Sequence, residues 1–125
     1  MKKVYGDLSV AAVAPVPLSK AVEANGLVFI SGQIHLDENT QLIDGSTADK
    51  THQTMKNIQA ILDEVGLCFA DVVKTTIYVT DMSIYGDLNS VYASYFESEY
   101  PAREVVCVME LPLGASLEIS MVASR

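Results

Sequence analysis

Between Thr47 and Gly66 the apolar residues Ala48, Met55, Ile58, Ile61, Leu62 and Val65 recur at three- and four-residue intervals. Directly afterwards, in DVVKTTIYVTD (Asp71–Asp81), Val73, Thr75, Ile77 and Val79 alternate with Lys74, Thr76 and Tyr78. The first pattern places one apolar stripe along a helix, and the second places one apolar face on a strand. This change of period within about 35 residues requires a helix and a sheet that share one core. Ser46 or Thr47 stands where the helix needs a capping side chain, and Gly66 stands where it needs a residue free to turn left-handed.

The remaining elements fit around that pair. Val22–Ile30 reads as two strands joined by Asn25-Gly26, a pair suited to a type I′ hairpin. Ser31-Gly32-Gln33 follows, with a glycine at a strand end, where a bulge or a close backbone approach is common. The polar stretch from His35 to Gly45 predicts a loop. Ile84, Leu88, Val91, Tyr92 and Tyr95 predict a second amphipathic helix that ends before Pro101, and strands are expected at Val105–Glu110 and Leu117–Ala123. The stretch from Leu8 to Leu18 carries Pro15 and Pro17 and is expected to be extended. The order is hairpin, helix, strand, helix, strand, strand, in a single domain spanning residues 1–125. Right-handed crossovers then give a mixed sheet with both helices on one face. The opposite face is left for partner subunits to cover.

Charge narrows the function. The chain has 8 Lys and Arg against 16 Asp and Glu, a net charge of −8, and no basic cluster. Binding that depends on neutralising phosphates is therefore disfavoured, and no nucleic-acid partner is expected. No apolar run approaches the roughly 20 residues that span a bilayer, and no signal-peptide core follows the amino terminus, so a cytoplasmic protein without a membrane partner is expected. Cys68 and Cys107 form no CxxC and are expected to be reduced, packed thiols, with Cys107 in the core. His35 and His52 lack matched acidic or cysteine neighbours, so no metal site is expected. Ser19, Ser31 and Ser90 have no nucleophile motif around them. Tyr85, Tyr92 and Tyr95 lie at helical spacing and read as packing. The 50% hydrophobic content is high for a small soluble monomer and points to self-association.

With these elements placed, SGQI (Ser31–Ile34), VVKTTIYVTDM (Val72–Met82), LNSVYASYF (Leu88–Phe96), PAR (Pro101–Arg103) and LEI (Leu117–Ile119) resemble the successive blocks of the Rid family. These are the enamine/imine deaminases of the YjgF type, known historically as translation-inhibitor endoribonucleases. The resemblance runs from about Ala14 to the carboxyl terminus. It implies an α+β, chorismate-mutase-like fold assembled as a homotrimer, with a ligand pocket in each cleft between subunits. It further implies hydrolysis of 2-aminoacrylate and related enamines or imines to 2-keto acids and ammonia, without metal or cofactor.

Taken position by position, the resemblance makes Arg103 the group that grips a substrate carboxylate. A planar guanidinium suits that task because it stays charged and can donate two parallel hydrogen bonds. Glu118 matches the carboxylate that holds or activates water. Ser31 and Gly32 match the pocket wall after the hairpin, and Asn89 matches a pocket-lining asparagine. Leu18, in Val16-Pro17-Leu18-Ser19-Lys20, stands where active members carry a tyrosine that lines the pocket, so a hydroxyl donor is missing. Glu104 and Val105 replace the Ser-Cys or Ser-Thr that many members carry after the arginine, and Cys107 lies two positions too late to take the family cysteine's role. Two other functions stay open: a non-catalytic 2-keto acid binding protein with the same cleft, and, against the charge, a ribonuclease.

Overall fold

The computed structural model describes residues 1–8 and 16–125. Six strands, β1 (Lys3–Asp7), β2 (Ser19–Ala24), β3 (Leu27–Gln33), β4 (Val72–Val79), β5 (Ala102–Cys107) and β6 (Leu117–Ser124), form one sheet in the order β1-β2-β3-β6-β4-β5. Two helices, α1 (Thr47–Val65) and α2 (Tyr85–Ala93), connect them. Only β4 and β5 pair in parallel; β6 lies between β3 and β4 and is antiparallel to both. Both helices therefore serve as crossovers between strands of like direction, and α1 packs on α2, β3 and β6. The fold is the mixed α+β sheet with helices on one face that the sequence predicts.

Local chemistry sets the boundaries. Asn25 (φ 53°) and Gly26 (φ 79°) both adopt the left-handed conformation that a two-residue hairpin turn of this hand requires. At the start of α1 the Ser46 hydroxyl accepts from the Asp49 N–H, and at its end Gly66 turns left-handed. The α1 stripe is wider than its aliphatic residues suggest, because Thr51 and Thr54 are also fully buried. Their hydroxyls donate to the Thr47 and Lys50 carbonyls one turn back, so neither buried donor is left unpaired. Met55, Ile58 and Leu62 meet Val28, Ile77, Leu117, Ile119 and Met121 from the sheet, and all are buried.

Several expectations are corrected. The sheet begins with β1, which pairs with β2; its charged, glycine-containing sequence carries no apolar alternation. Strand β5 starts at Ala102 and ends at Cys107 instead of spanning Val105–Glu110, and it is an edge strand with largely exposed side chains. Cys107 is thus exposed at the strand's end and is not core. Cys68 is also exposed; it opens a short turn whose Asp71 carboxylate accepts from the Cys68 N–H at 2.9 Å, the half of a capping box usually made by glutamate or glutamine. A register shift between Val72 and Lys74 buries Val72 and turns Val73 outward. Helix α2 is shorter than its apolar spacing implies, since Met82–Ile84 form a tighter turn and Tyr95 lies beyond its end. Of the stretch expected to be extended, residues 9–15 lie outside the described residues, while Leu8 and Leu18 pair through their backbones.

Among the described residues, nothing covers the sheet face away from the helices. Register aligns Val4, Val22, Phe29 and Val122 across four strands on that face, and Phe29 is 46% exposed. Among the described residues, no helix is long and apolar enough to cross a membrane.

Candidate active site

Arg103 pairs in register with Thr75, a buried residue on the helix-covered face, and so projects toward α2. There Asn89 Oδ1 accepts from Arg103 Nη1 at 2.8 Å, and the Tyr85 hydroxyl accepts from Nη2 at 3.3 Å. The Tyr92 ring centre lies 5.0 Å from the guanidinium carbon, within cation–π range. Tyr92 is itself fixed, because its buried hydroxyl donates to Thr75 Oγ1 at 2.9 Å, and burial pushes its phenol pKa upward so that it stays a neutral donor.

The electrostatics of this cluster are one-sided. The ion pairs among the described residues are Lys74 with Glu104 and Arg125 with Glu23; no carboxylate lies in salt-bridge reach of Arg103. A guanidinium has five N–H donors, and two are used here on neutral oxygens. Three remain, enough for a bidentate grip on a carboxylate. Beside them opens a pocket of about 290 Å³ lined by Asn89, Tyr92, Ala93, Tyr100, Pro101 and Arg103.

Glu118 belongs to a second cluster. It lies between buried Leu117 and Ile119 on β6 and pairs in register with Tyr78, so it projects from the open face. The β3–β6 register shifts between Ile30 and Gln33, which is the bulge anticipated at Gly32. A Cβ at Gly32 would lie 2.5 Å from Glu118 Oε2, so only glycine leaves room for this carboxylate. Partial burial raises the Glu118 pKa above the ordinary glutamate value. The Ser31 hydroxyl donates to the Ser19 carbonyl of β2 and so ties the bulge to its neighbour strand.

The chain brings Arg103 and Asn89 together, and Glu118 and Gly32 together, but does not join the two clusters. Tyr78, opposite Glu118, pairs with Val106, three residues beyond Arg103. An odd offset puts the two side chains on opposite faces, displaced by roughly 10 Å along the strands and about 10 Å across them. Leu18 belongs to neither cluster; it is 44% exposed and borders a groove of about 340 Å³ with Lys20, Gln33, Leu36 and Asn57.

The histidines are occupied elsewhere. Buried His35 accepts from the Ser116 N–H through Nε2 at 3.0 Å, so its proton sits on Nδ1, 3.1 Å from the Ile43 carbonyl. His52 Nδ1 lies 2.9 Å from the Tyr95 hydroxyl. Tyr85 and Tyr92, whose spacing reads as packing, instead surround the cation, Tyr92 from within the core. Their i, i+7 spacing, with Asn89 at i+4, is the sequence signal that identifies them as one stripe with the site.

The sequence model of a protein family described as endoribonuclease L-PSP matches residues 9–125. A crystal structure of YyfA from Yersinia pestis, described as a conserved Rid family protein of unknown function, superposes with a TM-score of 0.91 at 35% identity over 100% of both chains. The chain belongs to the Rid family. Another Rid relative, the human protein named 2-iminobutanoate/2-iminopropanoate deaminase, is 40% identical over 108 residues, 86% of this chain and 79% of its own length. Escherichia coli TdcF, crystallised with bound serine, matches with a TM-score of 0.86 at 32% identity over 98% of this chain and 99% of that one.

Proposed function

We propose that this Rid protein hydrolyses reactive enamine/imine acids of the 2-aminoacrylate type to 2-keto acids and ammonia, in a cleft shared by neighbouring subunits of a homotrimer. The observation that carries this reading is the Arg103 guanidinium, held on neutral supports beside a pocket with donors to spare. The deaminase name of the human relative and the serine bound to TdcF agree with a small carboxylate ligand.

In this mechanism Arg103 binds the carboxylate and fixes the orientation of the adjoining C=N bond. Glu118 of the partner subunit accepts a proton from water as the water oxygen bonds to the imine carbon. As the C=N π pair moves to nitrogen, Glu118 returns that proton to it and a carbinolamine forms. Glu118 then takes the carbinolamine hydroxyl proton and delivers it to nitrogen as the C–N bond breaks, so that the oxygen closes to C=O and ammonia leaves a 2-keto acid. A carboxylate with a raised pKa suits this exchange, because it is a stronger base when ionised and its pKa is moved toward working pH, where one group can both take up and return a proton. The sheet supports the reading of a shared cleft: one chain places Arg103 and Glu118 on opposite faces, whereas a second chain packed against the open face can bring its Arg103 edge to Glu118.

The test generates 2-aminoacrylate in situ with a serine dehydratase and follows its disappearance. Wild type is expected to accelerate the loss, and Arg103→Ala to lower kcat/KM by about 100-fold, the value of a charge-assisted hydrogen bond of the stronger kind. No acceleration by wild type would sink the hydrolase reading. Tight 2-keto acid binding without turnover would support the binding-protein reading instead.

A further inference from the structure

Tyr85 is placed differently from Tyr92 and Tyr95. It lies in the first turn of α2, is 40% exposed, and is absent from the apolar core. Among the described residues its hydroxyl makes one hydrogen bond, and there it is the acceptor from Arg103 Nη2. A phenol that accepts still has its own proton to donate. Its ring centre is 5.8 Å from the Arg103 guanidinium carbon and its hydroxyl 3.3 Å from Nη2, so the phenol proton lies within reach of an oxygen bound beside it on that guanidinium.

We propose that Tyr85 is a substrate-binding residue: while accepting from Arg103, it donates its O–H to the carboxylate that Arg103 holds. The inference rests on Arg103 being a carboxylate site, as in the function proposed above. The ligand then receives two guanidinium N–H bonds and one phenolic O–H bond. Two carboxylate oxygens have four lone-pair positions to accept these three donors, whereas an ester or amide offers fewer and carries no charge. The site is thereby selective for free 2-oxo and 2-imino acids over their neutral derivatives. The 3.3 Å separation is long for such a bond. It is expected to shorten when an anion draws both donors toward it.

The test uses Tyr85→Phe, which keeps the ring and removes only the hydroxyl, with pyruvate and its methyl ester as probes. Calorimetry measures pyruvate binding. In parallel, guanidinium NMR follows Arg103; the chain has only two arginines, and Arg125, bound to Glu23, serves as the internal reference. Wild type is expected to bind pyruvate and not the ester, and Tyr85→Phe to bind pyruvate about 10-fold more weakly, with a similar rise in KM, unchanged kcat and unchanged thermal stability. Equal pyruvate affinity in wild type and variant, with the same shift of the Arg103 signals, overturns the role of Tyr85 and leaves the carboxylate site intact. Failure of wild type to bind pyruvate, with unmoved Arg103 signals, overturns both. Pyruvate binding that weakens in the variant, without imine turnover by wild type, overturns only the hydrolase and supports the role of Tyr85.

Discussion

Gly32 lies directly against the Glu118 carboxylate. A methyl group at Gly32 would displace the far end of a flexible carboxylate, not the backbone, so Gly32→Ala is expected to leave the thermal midpoint nearly unchanged while lowering kcat/KM. Differential scanning calorimetry alongside the imine assay checks this. Because burial raises the Glu118 pKa, the acid limb of the kcat/KM profile is expected above the usual glutamate range, with activity lost as pH falls through it. Glu118→Gln should abolish that limb together with most of the activity. His35 gives the opposite kind of pH dependence, one of stability. Burial lowers its folded-state pKa, so at neutral pH both states are uncharged, and as pH falls below about 6.5 the unfolded chain takes up the proton first. Denaturant titrations should show His35→Gln less stable at neutral pH by about 1–3 kcal/mol, with the deficit narrowing below that point.

At the scale of elements, the ends of α1 make a direct comparison. Ser46→Ala removes one capping acceptor and is expected to cost about 1 kcal/mol. Gly66→Ala forces a side chain into a left-handed position and is expected to cost a similar amount, about 1 kcal/mol; urea unfolding measures both. These same signals make the helix legible, and Thr47–Val65 can be bounded from its stripe and caps alone. Strand β5 is less legible, because the run REVVCVMEL looks like a central strand while its place at the sheet edge depends on strand order, which no local pattern encodes. Strand β1 lacks any apolar rhythm and is held by pairing with β2. The site is legible to the same degree. Arg103 and Asn89 fall together because α2 lies over β5, and Gly32 and Glu118 because β3 neighbours β6. The opposition of the two pairs across the sheet depends on register, and the share of Tyr85 and Tyr92 in the cation's cradle depends on the rotation of α2.

For the whole molecule, the decisive feature is the uncovered sheet face with Val4, Val22, Phe29 and Val122 in line. If it is the contact between subunits, Phe29→Asp is expected to reduce the mass by light scattering to the 13.5 kDa of one chain, with far-ultraviolet circular dichroism retained and imine hydrolysis lost. A wild type of single-chain mass would remove the shared cleft. The placement of Arg103 and Glu118 on opposite faces also has a genetic reading. Arg103→Ala and Glu118→Gln chains, each strongly impaired when pure, should rescue one another when unfolded together and reassembled. In a random mixture roughly a quarter of the clefts in a cyclic assembly would receive an intact arginine from one chain and an intact glutamate from its neighbour. A site built within a single chain would show no such complementation.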